Sequence, residues 1–313
     1  MTIYRSRIYD DITQTIGGTP LIRLNRLQQH AKLSTAPLAK AEFFNPAGSI
    51  KDRPALAMLQ ALMVSDTFSA STEIIEASSG NNGVACAWLC AIYGIPLTVV
   101  IPEHMSIERQ RLIRHYGAKV ITTEKSLGTK GAIDEAKRRV AMTPNAVSLD
   151  QFSNAANPEA HAQTTANEIW HDTHGQIDVI IAGVGTGGTL TGIARSLLTR
   201  NPALEVVAVE PARCPVLSEG RSGVHNIQGL SSGHVPDILD TSLIHSIMTV
   251  GDEEAVEFAR LAASKEGLAV GISSGATLAA CCRLTQSNNY KGKNVVVILA
   301  DGAERYFSTP LFD

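Results

Sequence analysis

Residues 178–198 read DVIIAGVGTGGTLTGIARSLL. The opening DVIIA has the β-branched, apolar character of a buried strand, and from Gly188 onward the pattern is that of a helix. Between them GVGTGGT, residues 183–189, supplies glycines that let successive backbone N–H groups converge at a helix head, where an anion is favoured. The loop reads as a phosphate cradle. It is not a Walker A loop, which requires Lys-Ser/Thr after its last glycine and here meets Thr189-Leu190. Taken alone, it serves equally well as a tight strand-to-helix turn.

Outward from this stretch the same order of strand, turn and helix recurs. PLAKAEF, TEIIEA, PLTVVI, AKVITT, NAVSL, EVVAVE and NVVVILA join DVIIAGV as predicted strands. Residues 52–64, 82–93, 107–116, 131–140, 158–171, 188–199, 252–266 and 275–284 read as helices. The alternation predicts an α/β fold with parallel strands and crossover helices. There is no internal repeat, and no Pro/Gly/Ser-rich linker marks a domain boundary.

Composition narrows the functional classes. The 313 residues are 44% hydrophobic and 18% charged, enough for a sizeable core in one large or two medium domains. A formal net charge of −3, with both signs mixed along the chain, gives no nucleic-acid or membrane-surface footprint. Small-molecule partners are expected. MTIYRSRIYDDITQ lacks the apolar run of a signal peptide, and no stretch of roughly 18 uncharged apolar residues occurs, so a cytosolic location is expected. Cys86, Cys90, Cys214, Cys281 and Cys282 show neither disulfide-like nor zinc-like spacing. They read as buried free thiols, and no metal site is expected.

Two further turns carry polar groups at helix starts. In AGSIKDR, residues 47–53, Lys51 stands where a glycine-containing turn meets a helix, near the positive end of a helix dipole. That position depresses a lysine pKa, and only the free amine attacks an aldehyde. A solvated lysine opening a helix fits the same residues. In ASSGNNG, residues 77–83, Ser78, Ser79, Asn81 and Asn82 accompany backbone amides suited to a carboxylate, or form an ordinary N-cap.

Together, and in this order, the loops resemble the fold-type II pyridoxal-phosphate enzymes, specifically the cysteine synthase (O-acetylserine sulfhydrylase) family. The resemblance covers nearly the whole chain: IGGTPLIRLNRL, NPAGSIKDR, SSGNNG, MSIERQRLIRHYGAKVI, DQFSNAANPEAH, IAGVGTGGTLTGIAR, VAVEP, IQG, GISSGA and ERYFSTPLF all match its pattern. It implies two three-layer α/β domains with the active site in the cleft between them. Residues 43–155 would form a smaller, mobile domain, and residues 1–42 with 156–313 the larger one. It also implies a homodimer, and a cleft able to dock a serine acetyltransferase C-terminal peptide.

By the same resemblance Lys51 carries pyridoxal 5′-phosphate as a Schiff base and acts as the Cα base. Gly185, Thr186, Gly187, Gly188 and Thr189 take the cofactor phosphate, Asn81 the ring hydroxyl, and Ser273 the pyridine nitrogen. Ser78, Ser79, Gly80, Asn82 and Gln151 take the substrate carboxylate. A serine hydroxyl cannot hold the pyridine nitrogen protonated as an aspartate does, which favours elimination over transamination. The implied reaction is β-replacement on O-acetyl-L-serine through an α-aminoacrylate, with sulfide as nucleophile and L-cysteine and acetate as products.

The chain departs from the family pattern at three places. TSGNTG becomes SSGNNG, which puts Ser78 and Asn82 in place of threonines. IQGIGAGFIP becomes IQGLSSGHVP, which introduces Ser231, Ser232 and His234. SSGERY becomes DGAERY, which places Asp301 near the strand end that faces the cofactor, as in cystathionine β-synthases. Gln228 stands where phosphoserine-using relatives place an arginine, which favours O-acetylserine. Condensation with homocysteine, β-replacement by an amine, and a non-catalytic regulatory paralogue are the alternatives. The third has no need of Lys51, the phosphate loop and Ser273 together.

Overall fold

The computed structural model describes residues 7–313 except Ser79 and His104. Its ten strands are β1 Leu21–Arg23, β2 Leu38–Ala41, β3 Glu73–Ala77, β4 Leu97–Pro102, β5 Lys119–Thr123, β6 Ala146–Val147, β7 Val179–Gly183, β8 Glu205–Pro211, β9 Ser246–Val250 and β10 Val295–Leu299. The helices are α1 Asn25–Ala31, α2 Asp52–Met63, α3 Asn81–Tyr93, α4 Ile107–His115, α5 Gly128–Met142, α6 Ala156–Ala160, α7 Ala166–Asp172, α8 Gly188–Leu198, α9 Val216–Glu219, α10 Asp252–Leu261 and α11 Ile272–Thr285. A π turn, His161–Thr165, joins α6 to α7. All eight expected strands and all eight expected helices are present, whereas β1, β9, α1 and α9 were not foreseen.

The strands form two sheets. One has the order β1-β2-β10-β7-β8-β9 and the other β5-β4-β3-β6. Every pairing is parallel except β1 with β2. The register aligns Ala39, Val297, Ile181, Val207 and Ser246 in one row across five strands.

Strand periodicity then sorts the side chains into two layers. Ile181, Val207, Val295 and Val297 pack with α11 residues such as Ala276 and Leu278. Their neighbours Ile180, Val206, Val296 and Ile298 pack with Ile193 and Leu197 of α8 on the other face. Both faces are dry, which is why these strands read as continuous apolar runs. In the smaller sheet Ile74 and Val99 pack against α2 and α3, while Ile75 and Val100 face α5. All five cysteines are buried and free, as expected from their spacing.

A buried ionic cluster anchors the start of α2. Arg53 Nε lies 2.7 Å from Glu42 Oε2 and Arg53 Nη1 2.7 Å from Glu168 Oε1, while Lys40 Nζ is 2.8 Å from Glu168 Oε2. Lys40 Nζ also donates to the Thr19 carbonyl at 2.5 Å. Burial pushes the Glu168 carboxyl up, but Arg53 and Lys40 outweigh this and hold it at about 2. Strand β2, helix α7 and the first turn of α2 are thereby tied together two residues from Lys51.

Candidate active site

The carboxyl ends of β3 and β7 open onto one cleft of about 290 Å³, in keeping with the rule that parallel α/β sheets bind ligands there. Its walls bring together Lys51, Ser78, Gly80, Asn81, Asn82, Gln151, Gly185 and Thr186, residues spread over more than a hundred positions of sequence. Ser273 is buried in the first turn of α11, its Oγ 3.9 Å from where a Cβ on Gly229 would lie. Ser79 lies outside the described residues.

Close approach explains the glycines of the loop after β7. Gly187 precedes α8 at φ 82°, in the left-handed region that L side chains avoid. A Cβ there would stand 2.6 Å from Leu239 Cβ. On Gly185 it would overlap the Gly229 carbonyl oxygen, and on Gly188 the Asn157 side chain. The loop hydroxyls are held from behind. Thr186 Oγ1 accepts from Asn157 Nδ2 at 3.2 Å and from Gly188 N–H at 3.3 Å, and Thr189 Oγ1 lies 3.2 Å from His161 Nε2. His161 Nδ1 is 2.9 Å from Thr165 Oγ1. Burial, then Lys51 and Arg53, push the His161 imidazole well below its usual range, so it is neutral. Asn157 and His161 lie in the quoted NPEAH segment, but nothing local in the sequence shows that they back the threonines.

Lys51 caps α2. As a residue it keeps part of its surface open, yet burial of its amine brings the pKa down to about 8, with Asp301 opposing the fall. The amine is thus depressed as expected, but by burial rather than by the helix start.

The SSGNN loop divides its labour. Ser78 Oγ accepts from Gly83 N–H at 2.7 Å and so caps α3. Asn81 Nδ2 donates to Asp301 Oδ2 at 2.6 Å, while its Oδ1 accepts from Arg305 Nη1 at 2.7 Å and Arg109 Nε at 3.3 Å. Asn82 is buried, with Nδ2 3.4 Å from Glu76 Oε1. Its Oδ1 has no hydrogen-bond partner among the described residues. Gln151 is buried too, and its main-chain carbonyl accepts from Asn157 Nδ2 at 2.8 Å.

The IQGLSSGHVP loop forms another wall. Gln228, Ser231 and Ser232 line the cleft, and Arg109 Nη1 donates to Gln228 Oε1. Ser231 adopts φ 37°, with its Oγ 3.2 Å from Cys214 Sγ. His234 is exposed and not itself part of the cleft lining, but it sits against the ring of Phe152, which is, with centroids 5.9 Å apart. His225, which drew no attention in the sequence, lines the cleft with Nε2 3.2 Å from the Ser231 carbonyl.

A lysine amine brought down to about 8, in one cleft with a glycine loop at a helix head, is the pairing an aldehyde-and-phosphate cofactor requires. The sequence model of the pyridoxal-phosphate dependent enzyme family matches residues 12–301. The chain belongs to that family. Within it, the chain is 43% identical to cysteine synthase A of Salmonella typhi over 98% of its own length and 96% of the relative's. The crystal structure of cysteine synthase from Entamoeba histolytica superposes with a TM-score of 0.95 at 36% identity, covering 100% of this chain and 93% of that one. That of O-ureido-L-serine synthase superposes with a TM-score of 0.94 at 37% identity, covering 98% and 96%. The fold-type II assignment made from the loops therefore holds. Among the described residues, no helix is long and apolar enough to cross a membrane.

Proposed function

We propose that this chain makes L-cysteine from O-acetyl-L-serine and sulfide, with pyridoxal 5′-phosphate held by Lys51 and the loop Gly185–Thr189. The observation that carries the reading is the Lys51 amine, lowered by burial to about 8 in the same cleft as the glycine cradle. The cofactor, when bound, supplies an electron sink for the charge that develops at the substrate Cα.

The chain's own residues do the rest. N–H groups at the head of α3, with Asn82 and Gln151, bind the substrate carboxylate and set the direction of the Cα–H bond. Lys51 takes the Cα proton, and the Cβ–O bond breaks with its electron pair leaving on acetate. Sulfide then forms the new Cβ–S bond, and Lys51 returns a proton to Cα. Ser273 would offer a neutral hydroxyl to the pyridine nitrogen, and Asn81, which gives one amide N–H to Asp301, would offer the other to the ring oxygen.

The two sheets support a division into a smaller domain, residues 43–155, and a larger one formed by residues 1–42 and 156–313, with the cleft between them closing on substrate. The same carboxylate-binding N–H groups suit the terminal carboxylate of a serine acetyltransferase C-terminal peptide. A cytosolic homodimer completes the proposal.

Purified protein should be yellow, and O-acetylserine should shift its visible band. Lys51→Ala should lose both properties. A colourless wild type given cofactor, or a Lys51→Ala protein that still turns over, refutes the assignment. Ser231 and Ser232 in the cleft wall favour a second reading, in which a polar nucleophile other than sulfide is used. Sulfide, homocysteine, thiosulfate and small amines offered in turn after O-acetylserine would separate the two by which restores the resting spectrum fastest.

A further inference from the structure

Asp301 is fully buried just beyond β10, and four segments meet on it. Its backbone bridges to Ser49, two residues before Lys51, and its carbonyl accepts the Gly271 N–H at the head of α11 at 3.0 Å. Its Oδ2 accepts from Asn81 Nδ2 at 2.6 Å and from the Tyr306 hydroxyl at 2.7 Å, and lies 3.6 Å from Arg109 Nη2. Its Oδ1 has no hydrogen-bond partner among the described residues, and a Cβ on Gly271 would overlap that oxygen.

The two guanidiniums decide which way the Asn81 amide faces. Arg305 and Arg109 both donate to its Oδ1, an atom that can only accept, so the donor end is turned to Asp301. Arg109 also stacks on the Tyr306 ring, 4.5 Å from its centroid, which leaves the guanidinium little freedom. A carboxylate with one saturated oxygen and one bare oxygen therefore sits where the Lys51 segment, the Asn81 loop and the head of α11 converge.

We propose that Asp301 is a positioning residue for the chemistry at Lys51: with Arg109 and Arg305 it holds the Asn81 amide in its donor orientation, and it places a buried carboxylate against the segment that carries Lys51. The inference rests on the reading of Lys51 as the cofactor lysine. It gives the DGAERY departure a specific meaning, because the serine usual at position 301 in the family brings no charge. Other titratable or charged groups around the pair are Arg109 from α4, Arg305 and Tyr306 after β10, His161 from the π turn, and Asp52 beside Lys51. His161 stays neutral near pH 7, and Asp52, whose carboxyl burial raises to about 7, is the same in wild type and variant, so a difference between them reports the carboxylate of Asp301.

The test reads Lys51 without turnover. Full-length chain stripped of cofactor is mixed with saturating pyridoxal phosphate, and the initial rate of colour formation is followed against pH, since only the free amine reacts. The wild-type midpoint should lie near 8. In Asp301→Asn it should fall by roughly one pH unit, which raises the free-amine share at pH 7 from about one in eleven to about one half, a rate gain of about fivefold. Tyr306→Phe, which removes a hydrogen bond and leaves the charge, should keep the wild-type midpoint.

An unmoved midpoint in Asp301→Asn, or an equal fall in Tyr306→Phe, overturns the inference. If circular dichroism shows Asp301→Asn to be unfolded, Asp301→Ser carries the same expectation. If neither variant folds, Asp301 is a folding residue first and the inference also falls. A wild type that never takes colour sinks the Lys51 assignment itself, whereas a coloured wild type with an unmoved Asp301→Asn midpoint sinks only the role of Asp301.

Discussion

Gly187→Ala places a methyl group at the one position of the proposed phosphate cradle, Gly185–Thr189, that has a left-handed backbone. The backbone there has φ 82° and ψ −16°, and holding an L residue in the left-handed region costs about 1–2 kcal/mol. The new Cβ would start 2.6 Å from Leu239 Cβ and 3.1 Å from Leu239 Cα. The second contact is with backbone, so it cannot be relieved by a change of rotamer. Opening the gap to ordinary contact requires a shift of close to an ångström, and overpacking of that kind costs about 1–3 kcal/mol.

The strain falls on the N–H groups that are to meet the phosphate, so part of it should appear as lost cofactor affinity. A weakening of at least about tenfold corresponds to about 1.4 kcal/mol of the total. Equilibrium titration with pyridoxal phosphate, read at the visible band, measures it. Gly251→Ala is the control for the fold: its backbone is extended, and the nearest atom to the added Cβ is Glu253 Oε2 at 4.0 Å. It should bind cofactor like the wild type. If Gly187→Ala binds within twofold of the wild type, the proposed assignment of the phosphate to this loop fails.

Two further outcomes concern stability. Glu168 has its carboxyl held at about 2 against an ordinary 4.5, so its contribution is complete above pH 4.5 and is lost as pH falls toward 2. The difference in unfolding free energy between wild type and Glu168→Gln should be at most about 3 kcal/mol at pH 6 and should shrink steadily on acidification, as read by urea titrations of the cofactor-free chains; a difference independent of pH would contradict the ion cluster. Gly275→Ala puts a Cβ onto the Ala255 carbonyl and 2.7 Å from Ala259 N, where α10 and α11 touch backbone to backbone. It should lower stability by about 3 kcal/mol or more in the same titration, and a loss under about 1 kcal/mol would mean that the helices are not so close.

Much of the fold was legible because the interior strands are apolar on both faces and flanked by turns. The elements that escaped have weaker local signals. Strand β9, SIMTV, mixes polar and apolar groups without strict alternation at a half-buried sheet edge, and β1 is only three residues long. The loops that carry the site were readable one by one, since glycine at a helix head has local causes. Lys51 was harder: its depressed amine comes from burial by segments distant in sequence. For the same reason Arg109, Arg305, Asn157 and His161 could be quoted within matching segments without showing what they touch. His234 illustrates the converse. It was a visible departure in a site loop, yet it lies outside the cleft lining, and Ser231 and Ser232 are the departures in that loop that reach it.

The double cladding of the larger sheet also bears on how such a chain can diversify. Every side chain in the middle of β7, β8 and β10 is committed to one helical layer or the other. A substitution there has to satisfy a ready-made mould, whichever way the residue points. The strand ends carry no such obligation, and all the departures noted at Asn82, Ser231, Ser232 and Asp301 fall in segments beyond them. The architecture thus behaves as a fixed chassis with interchangeable fittings, in which new chemistry can be explored at the rim while the frame that holds it is left alone.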